Sequence, residues 1–320
     1  MLSWALGAHS RVSRLKESHF FGGICQAREI NGVLSSTEFQ KKVAAMIARD
    51  RNGIWGGGPE HSDMELASSL SENIESDKMT GAMAYLVAVA HICAKNKTDV
   101  VCEHTPRNVF YLRELMSAIP NAKIVHMMRD PRAVLASQKG RWRQRQLGAE
   151  QVPFKEVIRV WFNYHPKTNV TLWLRASQAA LQAQTSNGGG TISIRKFEAV
   201  VADMNTSIRD IAEFCELDFE EGMLDVPQAG SSHFAKSAKS VGVRREVNAQ
   251  WKKVLSKAEI FETERRTFEL LDLFDYPKPI ATPPSLIERI PSLTRYPLHL
   301  AGVVLSNPKR AWVQLKAIFN

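Results

Sequence analysis

The 320-residue chain holds only four cysteines, and none stands in a CxxC pair or at a spacing to histidine that a zinc site requires. Cys25, Cys93, Cys102 and Cys215 are scattered. Cys93 and Cys102 sit in apolar surroundings and read as buried thiols, and nothing calls for an oxidising compartment. No apolar run approaches the roughly 18 residues of a membrane-crossing helix. The first residues also lack the basic start and apolar core of a secretory leader, so the expected location is the cytoplasm. There is no Gly-x-x-x-x-Gly-Lys-Ser/Thr, which counts against an ordinary phosphotransferase, and the triplet Gly56-Gly57-Gly58 is followed by no such Lys-Ser/Thr pair. Acidic residues are in short supply as well, 33 against 42 Lys and Arg, leaving a net charge of +9. That sign selects anionic partners, whether nucleotide, acidic glycan, nucleic acid or membrane surface, without choosing among them.

What is there centres on Pro120 to Trp142. Ala122 to Met128 is an apolar run of strand length, and Asp130-Pro131 behind it is a helix start, with Asp130 as N-cap and Pro131 at the first helical position. A strand feeding straight into a helix turns free backbone N–H groups and the positive end of the helix dipole to the side of Arg129. That arrangement suits a phosphate. At 100° per residue Ser137 falls almost over Asp130 and can face the same pocket. An Arg129–Asp130 salt bridge in an ordinary α/β domain is the plainer reading of the same residues.

Arg129-Asp130-Pro131-Arg132 with Ser137, and Thr105-Pro106-x-Asn108 upstream, resemble the sulfotransferase family that uses 3′-phosphoadenosine 5′-phosphosulfate. The resemblance implies that Arg129 and Ser137 hold the 3′-phosphate of the nucleotide. A third motif, Glu17-x-His19-Phe20-Phe21, resembles the segment of glycan-acting relatives whose glutamate removes the acceptor proton. By that likeness Glu17 is the general base and His19 orients it or binds substrate; otherwise they are a solvated carboxylate and a structural histidine. Ser231 to Trp251, with Lys236, Lys239, Arg244 and Arg245, resembles the late loop that clasps the nucleotide, so Arg244 and Arg245 are further candidates; a disordered basic loop is the alternative. His104 stands where relatives often carry Lys, and Phe197 replaces a Tyr in Arg195-Lys196-Phe197-Glu198, losing any hydrogen bond from that hydroxyl.

The rest of the chain reads as alternating helices and short strands. Helices are expected over Met1–His9, Ser36–Asp50, Met79–Lys95, Asn108–Ala118, Phe154–Gln184 with a break at His165-Pro166, Ser207–Cys215 and Trp251–Phe274. Strands are expected over Asp99–Glu103 and Thr191–Arg195, joined by crossovers into a parallel sheet. Arg51–Asp63 reads as a glycine-rich loop, either plain surface or a flap near the acceptor, and the basic run Arg141, Arg143, Arg145 as a solvated helix end or a contact for an acidic acceptor. From Pro277 onward the prolines mark an extended linker, followed by a basic amphipathic helix over Pro308–Phe319 that could touch a membrane or pack on the domain or a partner.

The expected fold is therefore α/β: a three-layer parallel sheet flanked by helices, of the P-loop-like sulfotransferase kind, spanning 1–276, with a tail over 277–320. The chain opens inside a helix with no cap, so by the resemblance the first strand and the 5′-phosphosulfate loop are missing, and a chain without them is expected to be unstable and inactive. The implied reaction moves a sulfuryl group from the nucleotide to a hydroxyl or amine of a glycan, protein tyrosine or small molecule, with no metal. Two rivals stay open: a catalytically inactive nucleotide-binding protein, and a basic nucleic-acid-binding protein, which rests on charge alone and is not expected.

Overall fold

A computed structural model describes residues 1–54, 56–143, 146–147, 150–151, 154–186, 190–226, 250–277 and 282–306. In chain order the elements are α1 (Leu2–Leu6), β1 (Val12–Arg14), α2 (Ala27–Ile30), α3 (Ser36–Asn52), α4 (His61–Ser71), α5 (Gly81–Asn96), β2 (Val100–Cys102), α6 (Leu112–Ala118), β3 (Ile124–Met128), α7 (Pro131–Gly140), β4 (Gln146–Leu147), β5 (Glu150–Gln151), α8 (Phe154–Asn163), α9 (Pro166–Ser186), β6 (Ile192–Lys196), α10 (Phe197–Ala202), α11 (Met204–Phe214), α12 (Trp251–Val254), α13 (Lys257–Leu273) and α14 (Leu286–Ser306). The architecture is a mostly helical α/β one with short strands. Among the described residues the strands form separate pairs rather than the single sheet expected. β1 runs parallel to β2 in the register Val12↔Val100, Ser13↔Val101, Arg14↔Cys102. β3 is bonded to β6, and β4 pairs antiparallel with β5.

The chain divides into two compact units, one of 1–125, 179–193 and 205–226, the other of 126–178, 194–204 and 227–320. In the first, α3 carries Phe39, Val43, Met46 and Ile47 at helical spacing, and all four are buried against α5. Small residues on α5 (Ala82, Ala84, Ala88) allow that approach, and a Cβ on Gly81 would stand 2.3 Å from Cys25 Sγ and 2.6 Å from Glu29 O. Ser35 rather than Ser36 caps α3, through a box with Glu38. The glycine-rich loop is shorter than expected, because α3 runs to Asn52 and α4 begins at His61. Its base is clamped by Arg51, which holds Asp63 at 2.7 and 2.9 Å and Glu60 at 3.1 Å.

In the second unit α9 starts at Pro166 because proline needs no N–H partner at the first helical position, and His165 Nδ1 accepts the Lys167 N–H at 3.2 Å. Trp251–Phe274 breaks at Leu255, where Ser256 caps α13 with Glu259. The stretch beyond Pro277 differs most from expectation. Instead of belonging to an extended linker, Leu286–Ser306 forms the helix α14, which passes through Pro291 and Pro297 and is opened by a Ser285–Glu288 cap. A proline inside a helix costs roughly 3 kcal/mol, so packing must offset it. Gly302 meets the Phe162 ring with no room for a Cβ, and His299 Nδ1 lies 2.9 Å from Phe162 O. The segment 308–319 and residue Arg145 lie outside the described residues.

His126, in β3, gives the fold a pH signature. Burial pushes its imidazole from 6.5 down to about 4. Between those values the unfolded chain binds more protons than the folded one, so stability rises with pH across that window and falls as the medium is acidified. Melting measured from about pH 7 to about pH 4 is expected to show a loss that His126→Leu flattens; an unchanged slope would place the proton uptake elsewhere.

Candidate functional site

In the second unit β3 ends at Met128 and α7 begins at Pro131, the strand–helix junction expected from the sequence. Asp130 caps α7 by accepting the Arg132 N–H at 2.8 Å. Because Pro131 has no N–H and Asp130 fills the next donor, the first turn is less open to an anion than the sequence suggests, and the positive charge at this junction is that of side chains. The Arg129–Asp130 salt bridge of the plainer reading does not form. Asp130 is engaged by Arg132, whose Nε reaches its two carboxylate oxygens at 3.0 and 3.2 Å and whose second terminal nitrogen reaches one of them at 2.8 Å.

Arg132 is the largest fully buried side chain in the described residues. It also bonds Glu264 Oε1 at 2.8 Å and Pro277 O at 3.1 Å, and its guanidinium lies 4.5 Å from the centre of the Trp251 ring. Burial opposes its charge, but hydrogen bonds to Asp130 and Glu264 and their charges outweigh that and hold it above its usual range. The motif contains Arg132, yet its structural role is invisible in sequence, since its second carboxylate stands 132 positions away.

With Asp130 so committed, Arg129 is left without an ion pair among the described residues. Its Nε is buried and makes no hydrogen bond. The guanidinium stacks 4.6 Å from the centre of the Phe197 ring, which takes the place of the expected tyrosine. Burial pushes Arg129 below its usual range, while Glu198, Asp130 and Tyr276 act the other way. The backbone is braced on both sides: Trp173 Nε1 donates to Arg129 O at 3.1 Å, and Glu198 accepts the Asp130 N–H at 3.0 Å. Glu198 also accepts from the Tyr276 hydroxyl at 3.2 Å, a bond that the loss of a hydroxyl at position 197 gave no reason to expect. Ser137 lies on α7, about two turns beyond Asp130. Arg244 and Arg245 lie outside the described residues.

In the first unit two of the sequence motifs come together. His19 Nε2 stands 3.4 Å from Glu17 Oε2, and the His19 N–H donates to Thr105 Oγ1 at 3.2 Å. Ser18 Oγ donates to Glu103 Oε2 at 2.8 Å, while the Thr105 hydroxyl and N–H both donate to Glu103 Oε1. Glu103, which the sequence reading gave no role, thus ties the Glu17–His19 limb to Thr105-Pro106. His19 adopts φ +46°, uncommon for a residue with a side chain. Three residues on, Gly22 has φ +76° and a Cβ there would sit 2.1 Å from the Tyr111 hydroxyl. Phe20 and Phe21 anchor the limb in the core against Tyr85, with ring centres 5.2 and 5.1 Å away. Close by in sequence, His104 Nδ1 and Asn108 Oδ1 are buried with no hydrogen-bond partner. Burial pushes His104 below its usual value, against the charges of Glu17 and Glu103, which favours the neutral ring. The cysteines are free, and burial raises Cys25 and Cys215 to about 11 and Cys102 to about 12, so none of these three is a ready thiolate.

Fold and site together define an α/β protein with a half-buried arginine at a strand–helix junction, its Nε without a hydrogen-bond partner among the described residues, and a carboxylate–imidazole pair on a strained turn. Such a cation can hold an anionic group, and such a pair can take a proton. The profile of the sulfotransferase family matches residues 1–221, and the chain belongs to that family. Among solved structures, it is similar to the sulfotransferase domain from the curacin biosynthetic pathway, with 17% identity, a TM-score of 0.46, and 87% of this chain and 93% of that one covered. It is likewise similar to the sulfotransferase domain from the Synechococcus PCC 7002 olefin synthase, with 15% identity, a TM-score of 0.48, and coverage of 87% and 90%. No curated protein gives a significant match.

Proposed function

We propose that this sulfotransferase takes its sulfuryl group from 3′-phosphoadenosine 5′-phosphosulfate and passes it to an acceptor hydroxyl or amine. The observation that carries the donor assignment is the buried Arg129 Nε with no hydrogen-bond partner, beside an aspartate already committed to Arg132. A buried donor without a partner is rare in folded proteins and points to a ligand that completes it. A phosphate oxygen would do so, and the charge-assisted bond is of the strong kind. Arg129 and Ser137 are assigned to the 3′-phosphate, with Arg244 and Arg245 as further candidates for the nucleotide.

Glu17 is assigned the acceptor proton, with His19, 3.4 Å away, as its orienting partner. As the acceptor's oxygen or nitrogen bonds to sulfur, its proton passes to the Glu17 carboxylate. The bond from sulfur to the bridging phosphate oxygen breaks, and the nucleotide leaves with the electron pair. Positioning and charge stabilisation dominate the analogous phosphoryl transfer, and the same demands apply here.

The test is a pair of titrations. Arg129→Ala is expected to weaken binding of 3′-phosphoadenosine 5′-phosphate by about tenfold to more than a hundredfold, and binding of adenosine 5′-phosphate far less, because one charge-assisted hydrogen bond contributes roughly 1.5–3 kcal/mol. Calorimetry on both ligands reads the difference. Equal losses for the two nucleotides would make Arg129 structural and remove the donor assignment.

A further inference from the structure

α14 has two faces. Tyr296, His299 and Gly302 turn toward α8 and α9: the Tyr296 ring lies 4.6 Å from that of His165, His299 Nδ1 meets Phe162 O, and Gly302 abuts the Phe162 ring. At 100° per residue the opposite side is formed by Ile287, Ile290, Thr294, Pro297, Leu298, Ala301, Val304 and Leu305. This continuous stripe has one hydroxyl and no charge. All of its members are exposed, Ile287 at 79% and Leu305 at 83%. On α8, Phe154, Ile158 and Trp161 are exposed too. Exposed apolar surface of this extent marks an interaction site.

The charge around the stripe identifies what covers it. Arg289 and Arg295 flank it on its two sides, and both are exposed. From Arg289 to Asn320 the sequence carries five basic residues (Arg289, Arg295, Lys309, Arg310 and Lys316) and no Asp or Glu. A second copy of the chain would bring the same positive charge against its own. An anionic surface is attracted by it. An apolar helical face bordered by arginines is the pattern of a helix lying in the plane of a membrane interface, its apolar side sunk into the boundary between headgroups and acyl chains. No helix among the described residues is long and apolar enough to cross a membrane.

We infer that α14 docks the protein onto an anionic lipid bilayer, with the Ile287–Leu305 stripe inserted and Arg289 and Arg295 at the headgroups. The inference is independent of the sulfuryl donor. It is tested by cosedimentation of the full chain with vesicles of phosphatidylcholine and phosphatidylglycerol, and with vesicles of phosphatidylcholine alone. Binding is expected to the anionic vesicles only, and to weaken with salt. Ile287→Glu with Leu305→Glu is expected to lower it by more than about a hundredfold, and Arg289→Gln with Arg295→Gln by about 25-fold. All four positions are exposed, so circular dichroism should show both variants folded; if the glutamate pair disturbs the fold, the arginine pair decides alone. Equal binding to both kinds of vesicle, absence of binding to either, or binding unaffected by the variants would overturn the inference. A dimer seen in analytical ultracentrifugation and lost in the glutamate variant would overturn it in favour of a second copy.

Discussion

In a chain that carries the 5′-phosphosulfate loop, Glu17→Gln is expected to lower the rate of sulfuryl transfer by about 10²–10⁴ while leaving the affinity for 3′-phosphoadenosine 5′-phosphate nearly unchanged. The amide keeps the size and shape of the carboxylate but cannot accept the acceptor's proton. The limb that carries it is held independently of the Glu17 side chain: Phe20 and Phe21 are buried beside Tyr85, Ser18 is tied to Glu103, and the His19 N–H to Thr105. A fall in rate with an unaltered melting curve would therefore report lost chemistry rather than lost structure. Release of the desulfated nucleotide in the presence of hydroxyl and amine acceptors gives the rate. Activity retained in the variant would move the base to His19 or to His104, whose burial favours the neutral ring a base requires.

The second large effect concerns stability. Arg132→Met removes the one cation that the described residues place against both Asp130 and Glu264, and so breaks two buried ion pairs from one side. Breaking a buried ion pair from one side costs roughly 3–5 kcal/mol, against a total stability of about 5–15. Urea unfolding should show a loss of that order, partly restored by adding Glu264→Met, because exchanging both partners for apolar groups leaves fewer uncompensated charges. A loss below about 1 kcal/mol would mean that water or protonation satisfies the carboxylates. In this reading the Arg-Asp-Pro-Arg motif divides its labour: Arg132 neutralises Asp130, and Arg129 is thereby left available to a ligand.

Which features were legible in the sequence follows from how local their causes are. Asp130-Pro131 and His165-Pro166 announce helix starts through rules that act within a few residues, and both α7 and α9 begin there. The three residues of β1 carry too little alternation to be read as a strand, and only the pairing with Val100–Cys102 creates it. α14 runs against its own local signals. Two prolines argue for a linker, and the contacts of His299 and Gly302 with Phe162, more than a hundred residues away, override them. The candidate site divides in the same way. Arg129, Glu17 and His19 are recognisable from their motifs, whereas of the partners that position them Glu103, Trp173 and Tyr276 carry no local mark, and Glu198, though it stands in the Arg195–Glu198 motif, gives no local sign of its bond to the Asp130 N–H.

The central claim is that the nucleotide's 3′-phosphate completes Arg129, and a crystal structure of the chain with 3′-phosphoadenosine 5′-phosphate tests it most directly. The account predicts the 3′-phosphate within hydrogen-bond distance of the Arg129 guanidinium and the Ser137 hydroxyl, with Asp130 still held by Arg132. A nucleotide bound elsewhere, or bound with its 3′-phosphate in solvent and Arg129 still without a partner, would contradict it.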